Sequence, residues 1–212
     1  MPILYGAYRS RATRNFWLAG EMGIGLDLAP VLQAYRAGAA TAPMSTTSPE
    51  FLAISPAGAI PVLKDGDLVL SESLAINLYL ARKYGGPMAA ENAAEEALML
   101  QWALYGATSV EPAALAIMLA FNENRGDGPD VAEHVEKLQR PLNVLQDHLA
   151  AQGQMVGGRF TVADINMAEL LRYVQPHPTL LADFPAVDKW LKACQARPAF
   201  QQMWAKRMAE PV

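Results

Sequence analysis

Ile60-Pro61-Val62-Leu63-Lys64-Asp65-Gly66-Asp67-Leu68-Val69-Leu70-Ser71-Glu72-Ser73 is the stretch on which the fold turns. Two β-rich runs flank an Asp-Gly turn, the pattern of an antiparallel hairpin. Ser71 then reads as the N-cap of a helix whose stripe is Leu74, Ala75, Leu78 and Tyr79, and Tyr84-Gly85-Gly86-Pro87 stops that helix with paired glycines and a proline. A hairpin feeding directly into a helix is the second half of a small α/β domain.

Upstream lies the first half. Ile3-Leu4-Tyr5-Gly6 reads as a strand, Phe16, Trp17, Gly20 and Ile24 mark a helix ending near Gly23, and Leu26-Asp27-Leu28 reads as a second strand. Strand, helix and strand in so few residues make the βαβ unit of a parallel sheet. The Ala-, Thr- and Pro-rich stretch from Pro30 to Thr47 reads as a long loop with one helical turn around Leu32 to Arg36. Ser48-Pro49-Glu50 opens a helix with Ser as N-cap and Pro at the first position. The order is βαβαββα.

After residue 90 the strand signals stop. The patterns predict helices over 91–122, interrupted at Gly106 or Pro112, then 131–151, 162–173, 186–197 and 198–208. Gly157-Gly158-Arg159-Phe160-Thr161-Val162-Ala163-Asp164-Ile165 spells out one start, with Thr161 and Asp164 at capping-box spacing and Phe160 and Ile165 as a hydrophobic staple. The expected domains are therefore 1–84, a linker 85–90, and an all-helical part 91–212.

Composition narrows the function. With 52 % hydrophobic and 18 % charged residues and a net charge of −4, the 212-residue chain is an ordinary globular one. Its acidic excess lies in the helical part, which speaks against nucleic-acid binding. No apolar run is expected to reach membrane-span length, and Met1-Pro2-Ile3-Leu4-Tyr5 lacks the features of a signal peptide, so the protein is expected in the cytoplasm. His134, His148 and His177 show no metal-ligand spacing. Cys194 is the one cysteine and reads as a packed apolar residue, so thiol chemistry would need a thiol from outside. Arg9, Arg11 and Arg14 gather where the first helix begins and would favour a small anion there.

Four segments in this order resemble the cytosolic glutathione transferase superfamily of the bacterial type: Leu4-Tyr5-Gly6-Ala7-Tyr8-Arg9-Ser10-Arg11-Ala12-Thr13-Arg14; Ser48 to Leu63; Ser71-Glu72-Ser73-Leu74-Ala75-Ile76; and Phe160-Thr161-Val162-Ala163-Asp164-Ile165. The resemblance implies a thioredoxin-like N-terminal domain, an all-α C-terminal domain, and a homodimer. It also implies a glutathione transferase that joins glutathione to hydrophobic electrophiles, with glutathione as co-substrate and no metal. Other glutathione chemistry, such as peroxide reduction, and a non-catalytic binding module are the alternatives.

The resemblance also suggests roles. A thiol titrates near about 8.5 to 9, and lowering it two units takes about 2.7 kcal/mol of anion stabilisation. A helix N-terminus supplies up to about 2 kcal/mol, and a donated hydroxyl hydrogen bond can supply the remainder. Ser10, at the mouth of the first helix and four residues before Arg14, matches the serine of the serine-type classes; it is equally placed to be an N-cap. Tyr5 is the tyrosine-type alternative, with a core aromatic as its plain reading. Ile60 and the cis-proline Pro61 match the pair that meets the glutathione cysteinyl backbone, and Glu72 and Ser73 match the γ-glutamyl site. Ala59 stands where relatives carry a polar side chain for the glycyl carboxylate, so Arg11, Arg36 or a loop residue would replace it. Tyr8, Trp102, Tyr105 and Thr108, with Leu115, are expected around a second-substrate pocket between the domains.

Overall fold

The computed structural model describes residues 1–36 and 44–211. The chain forms two compact units, one of Met1–Gly86 with Arg197–Val212, the other of Pro87–Ala196. The helix from residue 198, assigned by sequence to the helical part, thus groups with the α/β unit.

In the first unit, strands β1 (Ile3–Gly6), β2 (Asp27–Leu32), β3 (Met44–Ser45), β4 (Val62–Asp65) and β5 (Leu68–Ser71) form a sheet in the order β3-β2-β1-β4-β5. The β1–β2 and β2–β3 pairs are parallel, and the β1–β4 and β4–β5 pairs are antiparallel. Helices α1 (Thr13–Met22) and α3 (Ser73–Tyr84) pack against each other, whereas α2 (Pro49–Leu52) is a single turn. Strand alternation sends Val31, Val62 and Tyr5 to one face, where Phe51 of α2 packs with them. Leu4 and Leu63, paired across β1 and β4, point the other way and are fully buried. Helix α9 (Pro198–Ala209) lies on α1: Phe200 meets Trp17 edge to face at 4.9 Å, and Arg197 clamps both oxygens of Glu21 at 2.7 Å.

Several boundaries differ from the sequence reading. Pro30–Leu32, read as loop, continue β2, because Val31 enters the core and Gly6 pairs with Pro30 in the last rung of the ladder. A 3-10 turn follows at Ala34–Arg36, and the rest of the expected loop up to residue 43 lies outside the described residues. Ser48 holds the N-cap backbone conformation, but its hydroxyl donates to the Ser45 carbonyl rather than to the helix. Ser71, read as the cap of α3, is the final residue of β5, paired with Val62; strand pairing outcompetes the local capping preference, and Glu72 takes the N-cap position.

The second unit is helical: α4 (Ala93–Tyr105), α5 (Glu111–Asn122), α6 (Pro129–Gln152), α7 (Val162–Leu171) and α8 (Pro185–Gln195). The break expected at Gly106 or Pro112 is instead a π-helical segment, Gly106–Val110, joining α4 to α5 without interruption. The wider turn accommodates Pro112, which has no N–H to give. At Gly106 an added Cβ would come within 2.4 Å of Leu170 Cδ1, so the Leu170 side chain of α7 would have to shift to admit one.

The expectation that no apolar run reaches span length is corrected here. Ala93–Asn122 is one 30-residue helix with a mean hydropathy of 1.4 over an 18-residue window, long and apolar enough by length and composition to cross a membrane. In this unit Met99, Trp102, Val110, Ala114 and Ile117 of this helix are buried, and it contacts α6 and α7; 33 % of that window is buried, and Leu98, Leu100, Leu104 and Leu119 are exposed.

The α7 start is as read: Thr161 and Asp164 form the reciprocal capping box. Asp164 is fully buried and also accepts from Met155 N and Trp190 Nε1, tying α7 to α8 and to the preceding turn. Burial raises its carboxyl pKa against these donors.

Beside it, Arg159 grips both oxygens of Glu95 at 2.9 and 2.7 Å and reaches the Ala89 carbonyl. Gly157 makes room for this grip, since its φ of +69° and the guanidinium against it leave no place for a side chain. Arg159, and then the Glu91 N–H, hold the Glu95 pKa down at about 2. A carboxyl whose folded pKa is depressed contributes stability above its unfolded value of 4.5 and loses it as pH falls toward about 2. Glu95→Gln should therefore lower the unfolding midpoint at pH 7 and leave it nearly unchanged at pH 2, as calorimetric scans over that window would report.

Candidate active site

The turn between β1 and α1 carries Ser10. Its Oγ donates to the Ala7 carbonyl at 2.6 Å and accepts from Ala12 N at 3.1 Å, while its own carbonyl accepts from Thr13 N and Oγ1. Ser10 is not the cap expected as its plain role: Ala12 holds the N-cap position of α1 without a side-chain cap bond, and the Ser10 hydroxyl bonds within the turn before it. The hydroxyl is half-buried at the mouth of α1, and its single proton is engaged by Ala7.

Two other segments come to the same end of the sheet. The Ile60–Pro61 peptide is cis, and Pro61 lies beside Gly6, where an added Cβ would sit 3.8 Å from Pro61 and 3.1 Å from the Ala12 Cβ. The ladder Tyr5↔Val62↔Ser71 then brings the start of α3 alongside. Glu72 is exposed, with φ +68° and ψ +108°, a conformation costing a residue with a Cβ about 1 to 3 kcal/mol. Ser73 is buried, and its Oγ accepts from Arg14 Nη1 at 3.0 Å. Its hydroxyl thus faces α1, a placement the sequence reading did not anticipate.

The sequence also gave no account of what fixes these segments. Asn15 Nδ2 donates to the Ser73 carbonyl at 2.9 Å and to Asn77 Oδ1 at 2.7 Å, and Asn77 Nδ2 returns a bond to the Arg14 carbonyl at 3.2 Å. Arg14, Asn15 and Asn77 are at most 1 % exposed. Their one sequence signal is asparagine inside apolar helical stripes, where its propensity is poor.

The expected arginine cluster does not converge. Arg14 turns inward to Ser73, Arg9 donates through Nε to the Glu210 carbonyl, and Arg11 is exposed. Arg36, considered for a glycyl carboxylate, is nearly buried and bonds to Gln33, Glu210 and the Pro211 carbonyl. Helical rotation and a contact from residues near 210 separate side chains that are close in sequence.

Tyr5 packs its ring into the cluster of Val31, Phe51 and Val62, with its centroid 6.5 Å from that of Phe51. Tyr8 stacks on Phe16 at 4.1 Å and lines a cavity of about 210 Å³ with Gly20, Met203 and Lys206, all within the first unit. In the second unit Trp102 is buried against Tyr105 and His148, burial raises the Tyr105 pKa, and Thr108 donates its hydroxyl to the Leu104 carbonyl.

A mixed thioredoxin-like sheet and an all-helical second unit define the fold class. Residues 4–88 match the glutathione S-transferase N-terminal domain and residues 99–198 the C-terminal domain. Glutathione S-transferase 3 of Zea mays is 39 % identical over 164 residues, covering 73 % of this chain and 74 % of that one. The structure of glutathione S-transferase III in apo form superposes with a TM-score of 0.80 at 33 % identity, covering 100 % and 99 % of the two chains. A glutathione S-transferase-I structure bound with lactoylglutathione gives 0.81 at 28 %, covering 97 % and 99 %. This chain belongs to the glutathione S-transferase family.

The strain at Glu72 makes a prediction. Glu72→Gly should raise stability by about 1 kcal/mol, the relieved strain being partly offset by glycine's greater unfolded freedom. Glu72→Ala, which keeps a Cβ at the strained position, should bring no such gain. Denaturant titration alongside calorimetry separates the two.

Proposed function

We propose that this protein conjugates glutathione, through its sulfur, to hydrophobic electrophiles, with Ser10 stabilising the thiolate. The observation that carries this reading is the placement of a half-buried hydroxyl at the mouth of α1, at the same end of the sheet as cis-Pro61 and the Glu72–Ser73 turn. Family membership supports the reaction class, and the solved relative bound with lactoylglutathione supports a glutathione derivative as occupant.

In this account the Ile60 backbone pairs with the cysteinyl residue of glutathione. Glu72 accepts the γ-glutamyl ammonium. Ser73, whose oxygen already accepts from Arg14, keeps its proton for the neighbouring carboxylate. Arg11, exposed in the turn before α1, is assigned to the glycyl end.

The thiol proton goes to solvent. Ser10 then transfers its hydrogen bond from the Ala7 carbonyl to the sulfur anion, adding to the positive field of the α1 N-terminus. The thiolate attacks the electrophilic carbon, a carbon–sulfur bond forms, and the leaving group or the adjacent π-bond takes the electron pair. Ser10 never acts as a base. Tyr5, with its ring in the apolar cluster, is set aside for this role. We place the working enzyme in the cytosol as a homodimer.

A hydrogen bond to a charged group is worth about 1.5 to 3 kcal/mol, so Ser10→Ala should raise the bound thiol's pKa by about one to two units. The rate at pH 7 should fall by roughly tenfold or more, with glutathione still bound. Ultraviolet absorbance of the thiolate across pH, together with calorimetry, reads both quantities. Identical titrations for the two proteins would remove Ser10 from the mechanism, and absence of binding to either would leave a non-catalytic module.

A further inference from the structure

We infer that Glu210, two hundred residues from the serine, is a positioning residue for Ser10; this rests on the thiolate reading above. Its carboxylate sits on two successive amides of the Ser10 turn, accepting from Tyr8 N at 2.8 Å and from Arg9 N at 2.7 Å. Its carbonyl accepts from Arg9 Nε at 2.7 Å, and Arg36 Nη2 lies 3.4 Å from the carboxylate.

The two carbonyls of the same dipeptide are also met from elsewhere: Arg207 Nη1 donates to Tyr8 O at 2.7 Å, and Gln33 Nε2 to Arg9 O at 3.1 Å. Tyr8 and Arg9 therefore take the partners of both their N–H and both their C=O groups from side chains of β2's flank and of the α9 end, not from the sheet or from α1. The Tyr8 ring is fixed as well, between Phe16 and the ammonium of Lys206, 5.9 Å from its centroid.

The next residue is Ser10. Two amides sharing one carboxylate fix the orientation of both peptide planes, as a single bond would not, and charge-assisted bonds are the strong ones. The peptide that ends on Ser10 N is the second of those planes' neighbours, and the Ser10 hydroxyl is aimed by the Ala7 carbonyl just before the clamp. A hydroxyl that must lie within about 3 Å of a sulfur, along a defined line, depends on such placement, and a displacement of about 1 Å can cost about a hundredfold in rate. Without Glu210 the two amides turn to water and the hydroxyl loses its direction.

The experiment is a double-mutant cycle between Glu210→Ala and Ser10→Ala in the full chain, with Glu210→Gln as the conservative variant, read by the pH titration of bound glutathione thiolate. Glu210→Ala is expected to raise that pKa by about one unit and lower kcat about tenfold, with the KM for glutathione changing less than about threefold. Glu210→Gln, which keeps one carbonyl acceptor, should fall between, and carries the test if the alanine variant does not fold. In the Ser10→Ala background neither change should shift the thiol further. The inference is overturned if Glu210→Ala titrates like the parent while Ser10→Ala does not, or if its shift is the same in both backgrounds. A Ser10→Ala protein that titrates like the parent would instead overturn the serine reading itself, and the inference with it.

Discussion

The buried hydrogen bonds between α1 and α3 set the geometry on which the site depends. Arg14, Asn15, Ser73 and Asn77 exchange bonds in a space from which water is excluded, and a buried polar group left unpaired costs about 1 to 3 kcal/mol. Rotating α1 by one residue would break all of these bonds at once, whereas an apolar contact would repack. The network therefore selects one register between the two helices. With that register fixed, the mouth of α1 and the first turn of α3 stand at a defined separation, one carrying Ser10 and the other Glu72.

The two helix starts solve the same problem differently. Ala12 holds the N-cap position of α1 in a helical conformation, and Ser10, two residues before it, satisfies the Ala12 amide with its hydroxyl oxygen. Glu72 has no side-chain cap bond and holds a positive φ, imposed because β5 continues to Ser71 and the chain must then turn at once into α3. The conformation is held by the strand on one side and by Ser73, buried under Arg14, on the other. Strand pairing and the polar network together thus create the exposed acidic turn.

Much of this was legible in the sequence because its signals are local. Asp65-Gly66 announced the hairpin, Thr161 and Asp164 announced α7, and the resemblance to the glutathione transferases implied that Ser10, Ile60-Pro61 and Glu72-Ser73 belong to one site. What escaped was decided by partners remote in sequence. Pro30–Leu32 look like loop until β1 offers them a ladder, and Arg9, Arg11 and Arg14 look like one patch until α1 turns one of them inward and residues near 210 claim another. Nothing in Met208-Ala209-Glu210-Pro211 indicates that its carboxylate closes on a turn at residue 8.

The grouping of residues 197–212 with the first 86 also bears on how the molecule is made. A ribosome delivers the sheet, α1 and α3 early, yet the side of α1 that takes Trp17 against Phe200 stays uncovered until the second unit has been synthesised in full. The most non-local contacts of the fold are those that complete the α/β unit, and their closure comes late in time as well as in sequence. Until residue 200 has been made, Trp17, fully buried in the finished protein, has no Phe200 to pack against.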